Sequence, residues 1–219
     1  MNIRNIAKKK ITGYLFCGMM AGLLVFTGFT YMRANYLQKQ IAEKVLRFHV
    51  LANSDSEEDQ NLKLKVRDAV GSYMQQLFAQ TGAGERGLAA CEEVVYEHLD
   101  EIKQTAEKVI TEEGYHYEVS AAVERTEFPV KTYGDYTFPA GEYEALRLTI
   151  GEAEGHNWWC VMYPNMCFVD GMYEVVDENA EESLREVLSE EEYEAVLSSG
   201  NYEVEFKYLG FLNELVNRD

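Results

Sequence analysis

The chain has 219 residues, of which 38 are acidic and 20 are basic, so its formal net charge is −18. Hydrophobic residues make up 47% of it and prolines number only 3, a composition typical of a folded protein and not of a disordered one. Because so acidic a chain repels phosphate backbones and no basic patch is visible in it, nucleic acid is excluded as an expected partner.

An uncharged apolar segment lies near the N-terminus, from Ile11 to Met32. A helix of this length spans the hydrocarbon layer of a bilayer, and the lysines at positions 8–10 favour a cytoplasmic N-terminus. The apolar run is longer than that of a cleaved signal peptide, which favours an uncleaved anchor. The predicted parts are a signal sequence or signal-anchor helix over 1–33, a juxtamembrane helix or linker over 34–44 and an extracytoplasmic domain over 45–219.

The charge and the cysteines agree with export. Residues 33–219 hold 16 basic against 38 acidic side chains, a net charge of −22, whereas the first 32 residues hold four basic side chains and no acidic one. Outside the cytoplasm disulfides are stable. Cys160 and Cys167 flank a six-residue loop that contains Pro164 and Asn165, whose turn chemistry predicts a disulfide between the two cysteines. Cys91 is expected to be a small buried hydrophobe.

The first half of the predicted domain reads as a strand and two helices. Residues 46–52 alternate apolar Leu46, Phe48 and Val50 with polar side chains, which predicts a strand. Ser54 with Glu57 three residues later predicts a capping box at the start of a long helix. Glycines at 82–87 end that helix, and a second helix is predicted from residue 88 to about 112.

The second half reads as mainly strands, followed by short acidic helices. Period-two alternation begins at Tyr115, and the tyrosine-rich segment 131–143 is predicted to be an exposed ordered loop. The predicted elements are strands over 115–124, 146–150, 158–163 and 202–208 and helices over 180–188, 189–197 and 209–217. Together they predict a single α+β domain with a mixed or antiparallel sheet and packed helices, behind one N-terminal helix.

The residues offer little support for catalysis. The four histidines lack the spacing of a zinc site, so we expect no metal and no cofactor. One alternative is a thiol-dependent hydrolase with Cys160 as nucleophile and His156 as base, which a bridge to Cys167 would exclude. Another is a structural envelope protein that binds peptidoglycan or divalent cations. Only the acidic charge of the domain supports this alternative.

Two segments carry a specific resemblance. They are LRFHVLANSDSEEDQNLKLKVRDAV, residues 46–70, and AGEYEALRLTIGEAEGHNWWCVMYPNMCFVD, residues 140–170. In these the chain resembles the stage II sporulation protein R family of endospore-forming bacteria. The resemblance implies a protein that is made in the forespore and exported into the space between the forespore and mother-cell membranes. There it would activate a membrane-embedded aspartic-type protease of the mother cell, which processes the early mother-cell sigma-factor precursor.

The resemblance implies a signalling ligand and not an enzyme, and it leaves open whether the ligand stays anchored. Polar residues in the first segment exceed what helix capping needs, and tryptophan is enriched at interfaces. Internal ion pairs and core packing are the alternative roles for them. The candidates for contact with the protease are Arg47, His49, Asn53, Asp55, Asp59, Lys63, Lys65, Arg67, Asp68, Trp158 and Trp159.

Overall fold

A computed structural model describes residues 3–166 and 178–197 of the chain. Two compact units are distinguished, Met1–Lys39 and Gln40–Asp219. The described elements are α1 (Ile3–Ala42), β1 (Leu46–Leu51), α2 (Glu57–Thr81), α3 (Ala83–Arg86), α4 (Leu88–Glu97), α5 (Leu99–Glu112), β2 (Val119–Phe128), β3 (Lys131–Tyr133), β4 (Tyr136–Phe138), β5 (Gly141–Ile150), β6 (Asn157–Tyr163), α6 (Glu178–Val187) and α7 (Glu190–Leu197). Cys167 and the elements predicted over 202–208 and 209–217 lie outside the described residues.

Helix α1 confirms the predicted apolar N-terminal helix. Its stretch Gly13–Ala42 is long and apolar enough to cross a membrane, judged by length and composition, and a signal sequence meets the same criteria. Two hydroxyl groups within it bond to the helix backbone: Thr27 Oγ1 donates to the Leu23 carbonyl at 3.0 Å, and Thr30 Oγ1 to the Thr27 carbonyl at 2.9 Å. These bonds satisfy the hydroxyls without water, as a lipid environment requires.

Four strands of the second unit form a mixed sheet in the order β2-β5-β1-β6. Strand β1 is parallel to β5 and antiparallel to β6, and β2 is antiparallel to β5. This confirms the α+β class and the mixed sheet. Alternate side chains point to opposite faces, and the first face carries Phe48, Val50 and Leu148, which share one buried core cluster with Val66 of α2 and Ile102 of α5.

A second core cluster lies on the other face of the sheet. It contains Phe128, Tyr143 and Val161 from the sheet, together with Ile41 from the last turn of α1 and Tyr193 of α7. The sequence alone does not reveal this second layer, because its cover comes from short elements that lack a long periodic pattern.

The tyrosine-rich segment corrects one prediction. Residues 131–143 are not an exposed loop, because β3 and β4 pair in an antiparallel ribbon and Tyr136 and Phe138 are buried. The Tyr136 and Tyr193 hydroxyls lie 3.1 Å apart, which joins the ribbon to α7. The ribbon therefore covers part of the second sheet face.

Three predicted boundaries also differ from the structure. The predicted helix 88–112 is interrupted at His98, whose backbone N–H donates to the Val95 carbonyl at 3.2 Å and whose ring takes part in a local bond to α4. The strand predicted from Tyr115 begins at Val119. Helix α2 is capped by Ser56 and not by Ser54, and the Ser56 hydroxyl accepts from the Asp59 N–H at 3.1 Å.

The predicted capping box of α7 is confirmed. The Ser189 N–H donates to Glu192 Oε2 at 2.6 Å, and the Glu192 N–H donates to Ser189 Oγ at 3.4 Å. Lys44 Nζ also lies 2.6 Å from Glu192 Oε2, although Glu192 is only 4% exposed. Burial alone would raise the pKa of Glu192, but the hydrogen bonds from Lys44 and Ser189 hold it below its ordinary value.

We expect Lys44→Met to lower the free energy of unfolding by about 1–3 kcal/mol at pH 7, because it leaves a buried carboxylate without its cation. Since the folded pKa of Glu192 is depressed, this contribution is present above pH 4.5, the ordinary value, and is lost as the pH falls further. Chemical denaturation of the full chain in detergent, at pH 7 and at a pH below 4.5, measures this loss of stability. The control Lys103→Met breaks an exposed pair with Glu107 and should cost less than about 0.5 kcal/mol. Equal losses in the two variants would contradict the prediction.

Candidate partner-binding site

Two loops meet at one end of the sheet. Because β1 and β5 are parallel, their carboxyl ends lie at the same edge, and the loops that follow them, 52–56 and 151–156, are adjacent. The Gly155 N–H donates to the Ala52 carbonyl at 3.0 Å. We call these two loops the corner. The corner brings together the two segments that carry the family resemblance.

Two glycines allow the loops to approach so closely. Gly151 has φ +57°, and a Cβ there would overlap the Asn53 side chain. A Cβ at Gly155 would overlap the backbone carbonyl oxygen of Ser54. Sequence reasoning missed both positions, although two glycines four residues apart in a polar loop were a usable signal for a close backbone approach.

Asp59 is a buried hydrogen-bond acceptor that holds the residues of the corner together. Asn53 Nδ2 donates to Asp59 Oδ2 at 2.8 Å, Ser54 Oγ donates to the same oxygen at 2.5 Å, and the Glu152 N–H donates to Asn53 Oδ1 at 3.0 Å. Burial alone would raise the pKa of Asp59, but the hydrogen bonds from Ser54 and Asn53 hold it below its ordinary value. Asn53 and Asp59 therefore fix the shape of the corner.

Asp55 and His156 form the exposed part of the corner. Asp55 Oδ1 accepts from the His156 backbone N–H at 2.5 Å and also bonds to the ring Nδ1. Their side chains are 55% and 78% exposed. Beneath them, Lys63 is buried and donates to the His156 carbonyl at 2.9 Å, and burial is the main cause that lowers its pKa. The Asp55–His156 pair is therefore exposed to solvent, and hydrogen bonds to the His156 backbone hold it in place.

Helix α2 and strand β6 extend this surface. The Arg67 guanidinium carbon lies 5.0 Å from the Trp158 ring centroid, within the range of a cation–π contact. Trp158 also meets Phe48 edge to face at 5.7 Å, and Asp68 pairs with Arg67 at 2.7 Å. Lys65 instead pairs with Glu113, the residue that follows α5. The half-buried Trp158 is therefore held between the core and a cation.

Arg47 is fully buried, so it is absent from the partner-contacting surface expected for it. Its Nε donates to the Cys160 carbonyl and its Nη2 to the Tyr133 hydroxyl, both at 2.9 Å. The guanidinium carbon lies 4.2 Å from the Phe128 ring centroid and 4.9 Å from that of Tyr143. Burial lowers the pKa of Arg47. The alternation in β1 was identified correctly, but the second core covers its polar side at this point.

His49 is buried on the same face, so it is also absent from the surface expected for it. Its ring stacks on Trp159 with centroids 3.7 Å apart and lies 5.7 Å from Phe128. Burial lowers the pKa of His49 to about 4, and the charges of Arg147 and Arg47 act in the same direction. The imidazole is therefore neutral at pH 7, and it supports Trp159 from beneath.

Cys160 is buried and disulfide-bonded, whereas Cys17 and Cys91 are free. Because the partner expected for Cys160, Cys167, lies outside the described residues, the bridge between these two stays a prediction. A disulfide-bonded sulfur is not a nucleophile, so the hydrolase alternative lacks its attacking group. Within the described part of the chain, no three His, Cys, Asp or Glu side chains are grouped so that they could hold a metal ion.

Comparison with known proteins covers this site. The family model for stage II sporulation protein R matches residues 42–173, which include both loops of the corner and strand β6. The stage II sporulation protein R of Bacillus subtilis (strain 168) is 38% identical over 133 residues, which are 59% of this chain and 56% of the relative. The chain thus spans about half the length of this curated relative, and no solved structure matches it. Since the family model covers more than half of its residues, the chain belongs to the stage II sporulation protein R family.

Proposed function

We propose that this protein is an exported sporulation signal that activates a membrane-embedded aspartic-type protease in the mother cell. Activation of the protease triggers processing of the early mother-cell sigma-factor precursor. Membership of the family gives a sporulation-related role, and the N-terminal apolar helix suits export from the forespore, either as an anchor or as a leader. The observation that carries the proposal is the junction of the two family segments at the corner.

The surface that we assign to the protease consists of Asp55, His156, Trp158 and Asp68, and we call it the contact surface. It combines exposed charges with a half-buried tryptophan, and tryptophan anchors dominate the binding energy of many interfaces. Charged groups around such an anchor set specificity and the rate of association. The buried candidates Arg47, His49, Asp59 and Lys63 act from beneath and do not touch the partner.

Activation requires a difference in affinity between two states of the protease. A ligand shifts a conformational equilibrium only as far as it binds one state more tightly than the other. A rigid surface suits this task, since little conformational freedom is lost when it binds. An anchored ligand would also face the protease at a high effective concentration across the narrow intermembrane space.

The test is complementation of a spore-forming strain that lacks its own copy of the gene. We expect the double variant Asp55→Lys, His156→Ala to reduce the processed fraction of the sigma-factor precursor at least about tenfold, as loss of an interface hot spot does. An immunoblot of the precursor and its product measures this fraction. The matched control is Lys108→Glu on α5, whose side chain is 75% exposed and lies outside both family segments; it should leave processing unchanged.

Two results would contradict the proposal. Undiminished processing by a normally exported double variant would remove the corner from the contact surface. Rescue by a chain that lacks residues 1–32 would overturn the export step, because the apolar helix at Gly13–Ala42 is the segment that we expect to carry the chain across the membrane.

A further inference from the structure

Strand β2 forms an outer edge of the four-stranded sheet. Its register with β5 runs without a shift from the Val119–Ile150 pair to the Phe128–Gly141 pair. In the part of the chain that the structure describes, no strand pairs with the other side of β2. Natural proteins usually protect such an edge, because its free N–H and C=O groups can pair with another extended chain. We call this outer side of β2 the open edge.

A hydrogen bond beside β2 shows which backbone groups face the open edge. The Gly151 N–H donates to the Glu118 carbonyl at 2.9 Å. Because opposite pairs in an antiparallel ladder alternate between bonded and non-bonded, the even-numbered residues of β2 bond to β5 and the odd-numbered residues face outwards. The outward N–H and C=O groups belong to Val119, Ala121, Val123, Arg125 and Glu127. Residues 119–123 are all uncharged, so the half of the edge that borders the corner lacks the charges that usually prevent pairing.

Two exposed apolar side chains lie beside β2. Among the described residues outside α1, the large hydrophobic side chains that are exposed are Tyr96, at 51%, and Val130, at 55%. Tyr96 lies on α4, and its hydroxyl is 3.5 Å from Glu144 of β5, which is the register partner of Arg125 of β2. Val130 lies just beyond the last residue of β2. Since tyrosine is enriched among the residues that dominate interfaces, these groups indicate a protein partner at this edge.

Carboxylates on the first sheet face favour a basic partner. Arg125 forms only long ion pairs, 3.7 Å from Glu142 and 3.9 Å from Glu144. Alternation along β2 places Glu127 on the same face, and Glu92 of α4 interacts with Glu144 and Arg125. Burial and the charge of Glu144 raise the pKa of Glu92 despite the opposing charge of Arg125. One arginine therefore does not balance the carboxylates around it.

Charge also separates the possible occupants of the open edge. A second copy would bring another exported part, residues 33–219, with a net charge of −22. The chain's own segment YEVEFKY, residues 202–208, holds two glutamates and one lysine. Both would be repelled by the carboxylates beside β2, whereas an extended basic segment of another protein would be attracted.

We infer that the open edge binds an extended basic segment of a partner protein as an added antiparallel strand. The backbone of that segment bonds to Val119, Ala121 and Val123, and its basic side chains lie on the first sheet face, beside Glu127. The inference deepens the proposed function and rests on it only for the identity of the partner, the protease. It extends the protease contact from the corner along β2, because Gly151 of the corner bonds to the residue before β2.

A labelled peptide tests the open edge in the full chain. The probe is fluorescein-Lys-Val-Lys-Val-Lys-Val-Lys-amide, and its fluorescence polarisation is recorded as the full chain in uncharged detergent micelles is added. We expect saturable binding, and at least about tenfold weaker binding when glutamate replaces lysine in the probe.

Two N-methylated probes test the backbone pairing. Directly opposite residues of an antiparallel pair lie on the same sheet face, so the lysines that face the carboxylates also direct their N–H groups to β2. N-methylation of the lysines should therefore weaken binding at least about tenfold, because several backbone hydrogen bonds are lost. N-methylation of the valines is the matched control and should leave binding unchanged.

Variants of the chain locate the binding. Glu127→Lys should weaken the probe at least about fivefold, because it reverses a charge beside the added strand. The matched control Glu194→Lys makes the same change at an exposed position of α7 and should leave binding unchanged. Ala121→Pro removes an outward N–H and should weaken the probe at least about threefold. Proline is tolerated where an edge N–H faces solvent, and circular dichroism confirms that each variant is folded.

Several outcomes would overturn the inference. They are the absence of saturable binding, equal binding of the two N-methylated probes, or equal weakening by Glu127→Lys and Glu194→Lys, which would mean that the probe responds to net charge alone. Binding that requires removal of residues 198–219 would assign the open edge to the chain's own C-terminal segment. A dimer of the chain that the probe dissociates would assign it to a second copy. If probe binding fails while the contact-surface variants still lose sigma-factor processing, the inference fails and the proposed function stands.

Discussion

Arg47→Ala is expected to lower the free energy of unfolding by about 3–5 kcal/mol. The substitution removes hydrogen bonds to the Cys160 carbonyl and the Tyr133 hydroxyl, and it leaves a cavity among aromatic rings that include Phe128 and Tyr143. Both losses occur at a side chain with no exposed surface. Chemical denaturation of the full chain in detergent at pH 7 measures the change.

Two further variants separate the causes of that loss. Arg47→Met keeps most of the packing and removes the cost of burying a charge, so we expect a smaller loss than for Arg47→Ala. Arg125→Ala removes an arginine that is 59% exposed and forms long ion pairs of 3.7 and 3.9 Å, and it should cost less than about 1 kcal/mol. If Arg47→Ala is as mild as Arg125→Ala, the buried guanidinium does not join the strands as described.

The position of Arg47 also shows where sequence reasoning stops. Alternation in β1 identifies which side chains share a face, but it cannot tell whether one or both faces are covered. The cover over Arg47 includes Tyr133 and Phe138 of the β3–β4 ribbon, a segment too short and too rich in turn residues to show a period. A cationic side chain on a strand usually indicates that this face of the sheet is exposed to solvent. At Arg47 the face is instead covered by a second layer of the protein.

The corner was predictable in its residues but not in its geometry. The sequence pointed to Asn53, Asp55 and Asp59 as candidates, whereas it offered His156 only as a catalytic base. Asp55 and His156 are 101 positions apart and meet only because β1 and β5 are parallel and in register. Strand pairing over such a separation depends on the whole fold, and local periodicity carries no information about it.

The three buried cations in the described part of this acidic chain share one arrangement. Lys63 donates to the His156 carbonyl, Arg67 lies over Trp158, and Arg47 donates to the Cys160 carbonyl. Each is therefore attached to the segment 156–160, through a backbone carbonyl or an aromatic ring. Such contacts fix the path of β6 and the orientation of its tryptophan rings. This accounts for cationic candidates that are central to the site and yet inaccessible to a partner.

His49 gives the domain a specific acid sensitivity. Its folded pKa of about 4 lies below the ordinary 6.5, so the unfolded chain binds the proton more readily. The contribution of His49 to the free energy of unfolding is therefore fully present above pH 6.5, and it is lost as the pH drops towards 4. At pH 4.5 the expected loss from this group is about 2–3 kcal/mol.

His49→Phe preserves the stack on Trp159 without a titratable ring, so the variant should gain that amount relative to the wild type between pH 7 and 4.5. Denaturant unfolding at the two pH values measures the difference, and a difference that stays constant would mean that the imidazole is already charged or hydrated in the folded chain.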